Sequence, residues 1–141
     1  MGTSKTTEDE REEFLATPRV GIISINRLDG KAPLATPVWY NYVPGGDVTV
    51  LTEPSSLKCR LILASGGFTL TVQNDRYPYG YVSVSGDATI DTSPRREEIL
   101  ALANRYPESE ATAFGDASAA NGDVLARMRP TKWFAQDYTK S

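Results

Sequence analysis

Residues 48–60 read Val48-Thr49-Val50-Leu51-Thr52-Glu53-Pro54-Ser55-Ser56-Leu57-Lys58-Cys59-Arg60. The apolar run Val48, Val50, Leu51 reads as a strand, and Leu57, Leu61, Ile62 and Ala64 open a short helix. Proline and serine lie where that helix starts, where backbone N–H groups lack partners and the dipole presents partial positive charge. Two hydroxyls, a lysine and an arginine in the same turn add donors and charge. Such a turn suits a phosphate group. It is also what an ordinary serine cap with solvated basic neighbours looks like. Residues two apart on a helix do not share a face, so of Lys58 and Arg60 the lysine, nearer the start, is the better ligand.

Upstream, Thr7 to Glu10 forms a Thr-x-x-Glu capping box before a helix of about two turns that carries Phe14 and Leu15 and stops before Pro18. Val20 to Asn26 is β-branched and strand-length. Asp29-Gly30 signals a hairpin, and Leu34 to Tyr42 forms a second strand. Pro37 within it points to an edge or a bulge. Gly45-Gly46 turns the chain into the strand at Val48. Downstream, Gly66-Gly67 leads to Phe68–Val72, where apolar residues alternate with threonines at a period of two. A polar turn from Asn74 to Gly80 precedes a strand from Tyr81 to Ile90, with Gly86 expected to mark a bulge. Ser93 is read as a helix cap with Pro94 at the first helical position, ahead of an apolar face of Ile99, Leu102, Ala103 and Tyr106. The stretch from Pro107 to Gly122 carries no clear pattern. Asp123 to Met128 suggests a second short helix, and Thr131 to Tyr138 a last strand. Six short strands with a few helices predict a mainly β fold, a small antiparallel barrel with helices covering its ends.

The chain has 141 residues, 40% hydrophobic and 23% charged, with a net charge of −3. That is one domain of ordinary globular composition, residues 1–141, with residues 1–7 expected to be flexible. Net negative charge argues against a nucleic-acid partner. No apolar run approaches the roughly 20 residues of a membrane span, and the polar, acidic first residues do not read as a secretory signal. A cytoplasmic protein is expected. Histidine is absent and Cys59 is the single cysteine. This excludes Ser-His-Asp and Cys-His catalysis and His- or Cys-rich metal sites, and no metal is expected. Acid–base work would fall to carboxylates, tyrosine, lysine or water, or the chemistry to a cofactor. Asp87, Asp91, Asp116 and Asp137 have no paired spacing, so no catalytic side chain is named. Tyr77, Tyr79 and Tyr81 cluster around Pro78 and Gly80, as a packed turn or as a lid over a planar substrate.

This order of motifs resembles the split β-barrel flavoproteins related to pyridoxamine phosphate oxidase. Within them it is most similar to the flavin/deazaflavin oxidoreductases. The resemblance runs from Glu13 to Tyr138. It is carried by the Phe14-Leu15 helix before Arg19, the Asp29-Gly30 hairpin and the Thr36-Pro37-Val38-Trp39 strand. It continues through the Ser55-x-x-Lys58-x-Arg60 turn to the closing Pro130-Thr131-Lys132-Trp133 strand. It implies a six-stranded antiparallel split β-barrel forming a homodimer, with cofactor sites in clefts between the subunits. It implies that Ser55, Ser56, Lys58 and Arg60 hold the cofactor phosphate. Thr36, Pro37 and Val38 would run beside the ring, Thr52 would contact the ring or ribityl chain, and Trp133 would reach in from the partner subunit. Tyr77 and Tyr79 are then candidate substrate-binding residues. The implied cofactor is the hydride carrier coenzyme F-420, with FMN as the alternative. The implied activity is hydride transfer to or from a small planar substrate. Without histidine the chain departs from the pyridoxamine phosphate oxidases proper, which disfavours vitamin B6 oxidation. A non-catalytic cofactor-binding protein and a heme-binding relative are the other readings.

Overall fold

The structure, a computed structural model, describes residues 6–106 and 108–138. The flexibility expected of residues 1–7 falls mostly outside them; Thr7 itself is the N-cap of helix α1, Glu8–Ala16. Its hydroxyl accepts from the Glu10 N–H at 3.2 Å, and the Glu10 carboxylate accepts from the Thr7 N–H at 3.0 Å. That is the reciprocal box the sequence spells. Strands β1 (Gly21–Ile25), β2 (Leu34–Val38) and β3 (Val48–Thr52) precede helix α2 (Leu57–Ser65). Strands β4 (Gly67–Gln73) and β5 (Gly80–Asp91) follow, then helices α3 (Arg96–Ala103) and α4 (Glu108–Ala120), and finally β6 (Val124–Met128) and β7 (Lys132–Asp137).

Six strands form one antiparallel path, β2-β1-β4-β5-β6-β3, and β7 pairs with β5 beside it. The two ends of the path meet at an isolated bridge between Asn41 and Thr49, which closes the sheet into a barrel. The expected mainly β split barrel is present. Pro37 sits in β2, at the end of the path, where a residue without an N–H costs least. One expectation is overturned: Asp123 to Met128 is not a helix, because Val124–Met128 is strand β6, paired to β3 on one side and β5 on the other. Ser93 is not the cap of α3 either; Arg95 is, and the Glu98 carboxylate accepts from its N–H.

Strand β5 runs for twelve residues and serves both halves of the barrel, its first part pairing with β4 and β7 and its last with β6. Gly86 lies at the changeover. No bulge interrupts its register with β4, contrary to expectation. Glycine is needed there for another reason: a Cβ at Gly86 would collide with the Arg129 carbonyl, where the chain passes from β6 to β7.

The inward faces of the strands bury Ile23, Ile25, Val50, Leu70, Val84 and Met128, and Leu15 of α1 plugs one end. Alternation along β1 and β4 places these residues inside. A second core lies outside the barrel, where Ile99, Leu102 and Tyr106 cover Leu51 and Leu125. This small cluster seats α3 and α4 beside the β3–α2 turn. Among the described residues, no helix is long and apolar enough to cross a membrane.

Candidate functional site

The turn after β3 is built by its own hydroxyls. Ser56 is the N-cap of α2: its Oγ accepts from the Cys59 N–H at 3.1 Å and bonds to the Glu53 carbonyl at 2.7 Å. The buried Thr52 hydroxyl lies 2.9 Å from the same Oγ. Thr52 and Ser56 are therefore committed to shaping the turn, and neither lines the cleft beside it. Ser55 and Arg60 are exposed at the surface of the turn. Lys58 is half-buried and points elsewhere, into an apolar cleft.

That cleft has a volume of about 440 Å³ and is lined by Val20, Pro37, Val38, Trp39, Leu51, Lys58 and Phe114. The fold thus joins three sequence-identified candidates, Pro37, Val38 and Lys58, from β2 and α2. Among the described residues, Lys58 is the one charged side chain lining the cleft. Burial pushes its pKa down, while Glu53 and Asp123 pull it up. The lysine is thus partly desolvated and flanked by two carboxylates. Asp123 lies across the β3–β6 ladder from Glu53, one step beyond the Thr52↔Val124 pair. Its buried Oδ1 has no protein hydrogen-bond partner. An apolar slot with one lysine at its edge suits a flat ring carrying an anionic group.

By sequence, no site role falls to Trp39, Phe114 or Asp123, although Trp39 belongs to the Thr36–Trp39 motif. Trp39 stacks on Tyr106 with ring centroids 4.5 Å apart and planes 4° from parallel, and Phe114 meets it at 4.6 Å and 47°. Chain separations of 67 and 75 residues hide these contacts from any local pattern. The aromatic run from Trp39 to Tyr42 was the available signal.

The remaining candidates lie elsewhere. Thr36 of β2 pairs with Ile23 of β1 and does not line the cleft. Trp133 of β7 packs under α1, with the Arg11 guanidinium 4.7 Å from its ring and Tyr42 edge-on at 6.0 Å. Within one chain it borders a different, polar cleft with Glu12, Arg129 and Pro130. Tyr77 and Tyr79, 85% and 48% exposed, meet edge-to-face at 6.0 Å in the β4–β5 connection. They do not line the cleft. They do sit at its end of the sheet, since continuing the Ile22↔Thr71 register sets Val20 opposite Gln73, where that connection begins.

The tyrosines near the cleft are poor proton donors to a ligand. Burial raises the pKa of Tyr40 to about 12, and its hydroxyl donates to the Leu15 carbonyl at 2.6 Å. Burial raises that of Tyr106 too, and its hydroxyl is spent on backbone carbonyls. Cys59 is buried and its thiol pushed up by desolvation, which leaves it a packing residue. Among the described residues no cluster of three or more acidic or cysteine side chains is placed to hold a metal ion.

No protein-family model and no curated protein matches the sequence. Solved structures do. A conserved hypothetical protein of Mycobacterium tuberculosis superposes with a TM-score of 0.77 at 21% identity, covering 98% of this chain and 89% of that one. A structure named F-420 reductase gives 0.71 at 26% identity, over 87% and 94% of the two chains. An FAD- and heme-binding protein of Mycobacterium smegmatis gives 0.68 at 14% identity, over 94% and 71%. The fold is that of the split β-barrels related to pyridoxamine phosphate oxidase.

Proposed function

We propose that this chain is an oxidoreductase that binds a flavin-type cofactor in the Val38–Leu51–Lys58 cleft and passes a hydride to or from a small planar substrate. Coenzyme F-420 is the first candidate and FMN the alternative. The observation that carries the reading is the cleft itself: apolar walls from β2, β3 and α4, with Lys58 as the single charged lining residue among those described. Likeness to an F-420 reductase fold supports the order of the two candidates.

The residues fit such a group. Val38, Leu51 and Trp39 offer apolar and aromatic surface to a ring, and Val20 and Phe114 extend the apolar lining. Lys58 meets the phosphate, with Ser55 and Arg60 at the surface beside it. When bound, the cofactor supplies the hydride chemistry; the chain supplies orientation, dryness and charge. Glu53 and Asp123 keep the Lys58 ammonium company until the anion arrives. The hydroxyls of Tyr40 and Tyr106, the tyrosines near the cleft, keep their protons on backbone carbonyls, so solvent is the proton source.

The reading includes a homodimer. Pro37, Ile22, Thr71, Ser83 and Phe134 form one register row across β2, β1, β4, β5 and β7, on the outer face of the sheet. The row is uncharged, with Ile22 40% and Phe134 70% exposed. Pro37 belongs both to this row and to the cleft, so a second copy seated on the face would border the cofactor. Trp133, adjacent to Phe134 in β7, faces the opposite side of the sheet and packs under α1, so within this chain the outer face reaches the neighbouring cleft through Pro37 and Phe134 rather than through the indole.

Titration of the purified protein with FMN and with coenzyme F-420, followed by absorbance and fluorescence, tests the reading. Saturable binding of either is expected, and turnover with a planar acceptor such as a quinone separates an enzyme from a carrier. Binding of neither removes the proposal.

A further inference from the structure

We propose that Trp39 is the specificity-determining wall of the cleft, selecting flat, electron-poor heteroaromatic rings, and that Tyr106 is the residue that positions it. The inference rests on the reading of the cleft as a ring-binding site.

After Val38 the chain leaves the β2 ladder and does not pair again until Asn41. Trp39 and Tyr40 therefore lack the neighbouring strand that would fix their direction. Tyr106, just beyond α3, replaces it. Its hydroxyl accepts from the Tyr40 N–H at 3.0 Å, and its proton lies between the carbonyls of Arg19 at 2.8 Å and Tyr40 at 3.1 Å. Arg105 holds the Tyr40 carbonyl from the other side at 3.0 Å. The ring of Tyr106 meanwhile lies flat on Trp39. One residue thus fixes both the backbone that carries the indole and the indole plane.

The consequence is chemical. Trp39 is half-buried and borders the cleft with Val38, Leu51 and Phe114; the Tyr106 phenol covers one of its faces, and Phe114 meets it tilted at 4.6 Å and 47°. Two electron-rich rings already stacked present negative quadrupole density, and an electron-poor ring complements it best. A rigid wall also loses little side-chain entropy when a ligand stacks. Lys58 carries the anionic end, so ring and phosphate recognition reside in different residues.

Four probes separate these roles: FMN, riboflavin, coenzyme F-420 and its phosphate-free deazaflavin–ribityl precursor. Trp39→Leu is expected to weaken a phosphate-bearing compound and its phosphate-free counterpart by the same factor, about tenfold, whereas Trp39→Phe stays within about threefold of wild type. Tyr106→Phe, which keeps the stack and loses only the hydroxyl, is expected to weaken ring binding roughly threefold or more. Dithionite-reduced FMN, with its electron-rich ring, should be less affected by Trp39→Leu than oxidised FMN. Lys58→Ala should weaken only the phosphate-bearing probes. A folded Trp39→Leu protein that binds riboflavin and the precursor as wild type does overturns this inference and leaves the Lys58 site standing. Should that variant fail to fold, unchanged ring affinity in Tyr106→Phe overturns it instead. Wild-type protein that binds none of the four overturns the reading of the cleft, and this inference with it.

Discussion

The Arg105 guanidinium donates to the side-chain oxygen of Asn41 at 2.8 Å, across 64 residues of chain. Asn41 is also the residue whose backbone N–H and carbonyl pair with Thr49, at 2.9 and 3.0 Å, to close the barrel. The same guanidinium reaches the Ala16 carbonyl at 2.7 Å and lies over the Tyr40 ring. It ties the end of α1, the unpaired Trp39–Tyr40 segment and the end of α3 to the closure.

Arg105→Ala leaves the carbonyls of Ala16 and Tyr40 short of a donor in a partly buried place. Bonds to charged donors of this kind contribute about 1.5–3 kcal/mol each in favourable cases, and shared geometry keeps their sum lower. A loss of about 2–4 kcal/mol is expected, seen as a fall in Tm of roughly 6–12 °C by calorimetry. An unchanged Tm would show that the closure stands without it.

Lys58→Met should separate stability from binding. Burial lowers the lysine's pKa, so its charged form is disfavoured by folding and stability rises as pH climbs through the folded pKa towards 10.5. At neutral pH an apolar side chain of similar length removes that desolvation cost, and the Tm without ligand should not fall. Cofactor affinity should drop by roughly 1.5–3 kcal/mol, the scale of a charge-assisted hydrogen bond. Equal dissociation constants by fluorescence titration would remove Lys58 from the site.

Phe134→Asp tests the outer sheet face. The ring is 70% exposed in the single chain, so its loss should change the fold's intrinsic stability little. A carboxylate there should not tolerate burial against a second copy, and sedimentation should shift from dimer to monomer. Cofactor affinity should fall with it, because Pro37 joins that face to the cleft. A wild-type protein that sediments as a monomer at micromolar concentration, with or without cofactor, contradicts the dimer.

Acid should destabilise the fold through the cluster around Arg127. Its guanidinium lies 2.7 Å from Asp91 and 2.6 Å from Glu98. The Arg127 bond holds the Asp91 carboxyl below 3.8; burial pushes Glu98 up, but bonds from Arg127 and Arg95 outweigh it and hold it below 4.5. Depressed carboxylates stabilise the fold above their unfolded pKa, and that contribution is lost as pH falls through the folded values. Thermal melts of wild type and of Asp91→Asn/Glu98→Gln should therefore differ at pH 7, begin to approach each other at about pH 4 and converge once the pH is below the folded values. A gap that persists at pH 2.5 would assign it to packing.

Tyr79→Ala should raise KM for an accepted planar substrate and leave cofactor affinity within about twofold, the pattern of lost substrate binding alone. Its exposure makes unfolding an unexpected outcome. Loss of cofactor binding would mean that the Tyr77–Tyr79 connection holds the sheet end rather than the substrate.

Much of the barrel is legible in short stretches because its causes are local. Alternation in Phe68–Val72 fixes which face of β4 is buried, Thr7 and Glu10 spell their own capping box, and Gly66, with φ +77°, ends α2 where glycine alone is unstrained. Lys58 was preferred over Arg60 on helix geometry, and it is Lys58 that lines the cleft. Tertiary contacts decided the rest. Val124–Met128 contains leucine, alanine, arginine and methionine, all good helix formers, yet pairing with β3 and β5 on both edges makes it a strand. Thr52 and Ser56 offered hydroxyls to a ligand on paper, but the fold brings them within 2.9 Å and spends them on the turn. Trp39 became the wall of a cleft only because Tyr106, 67 residues later, lies flat against it. Propensity and caps act over a few residues and can be read in order; a cleft is a meeting of distant segments, and only the closed barrel determines which of them meet.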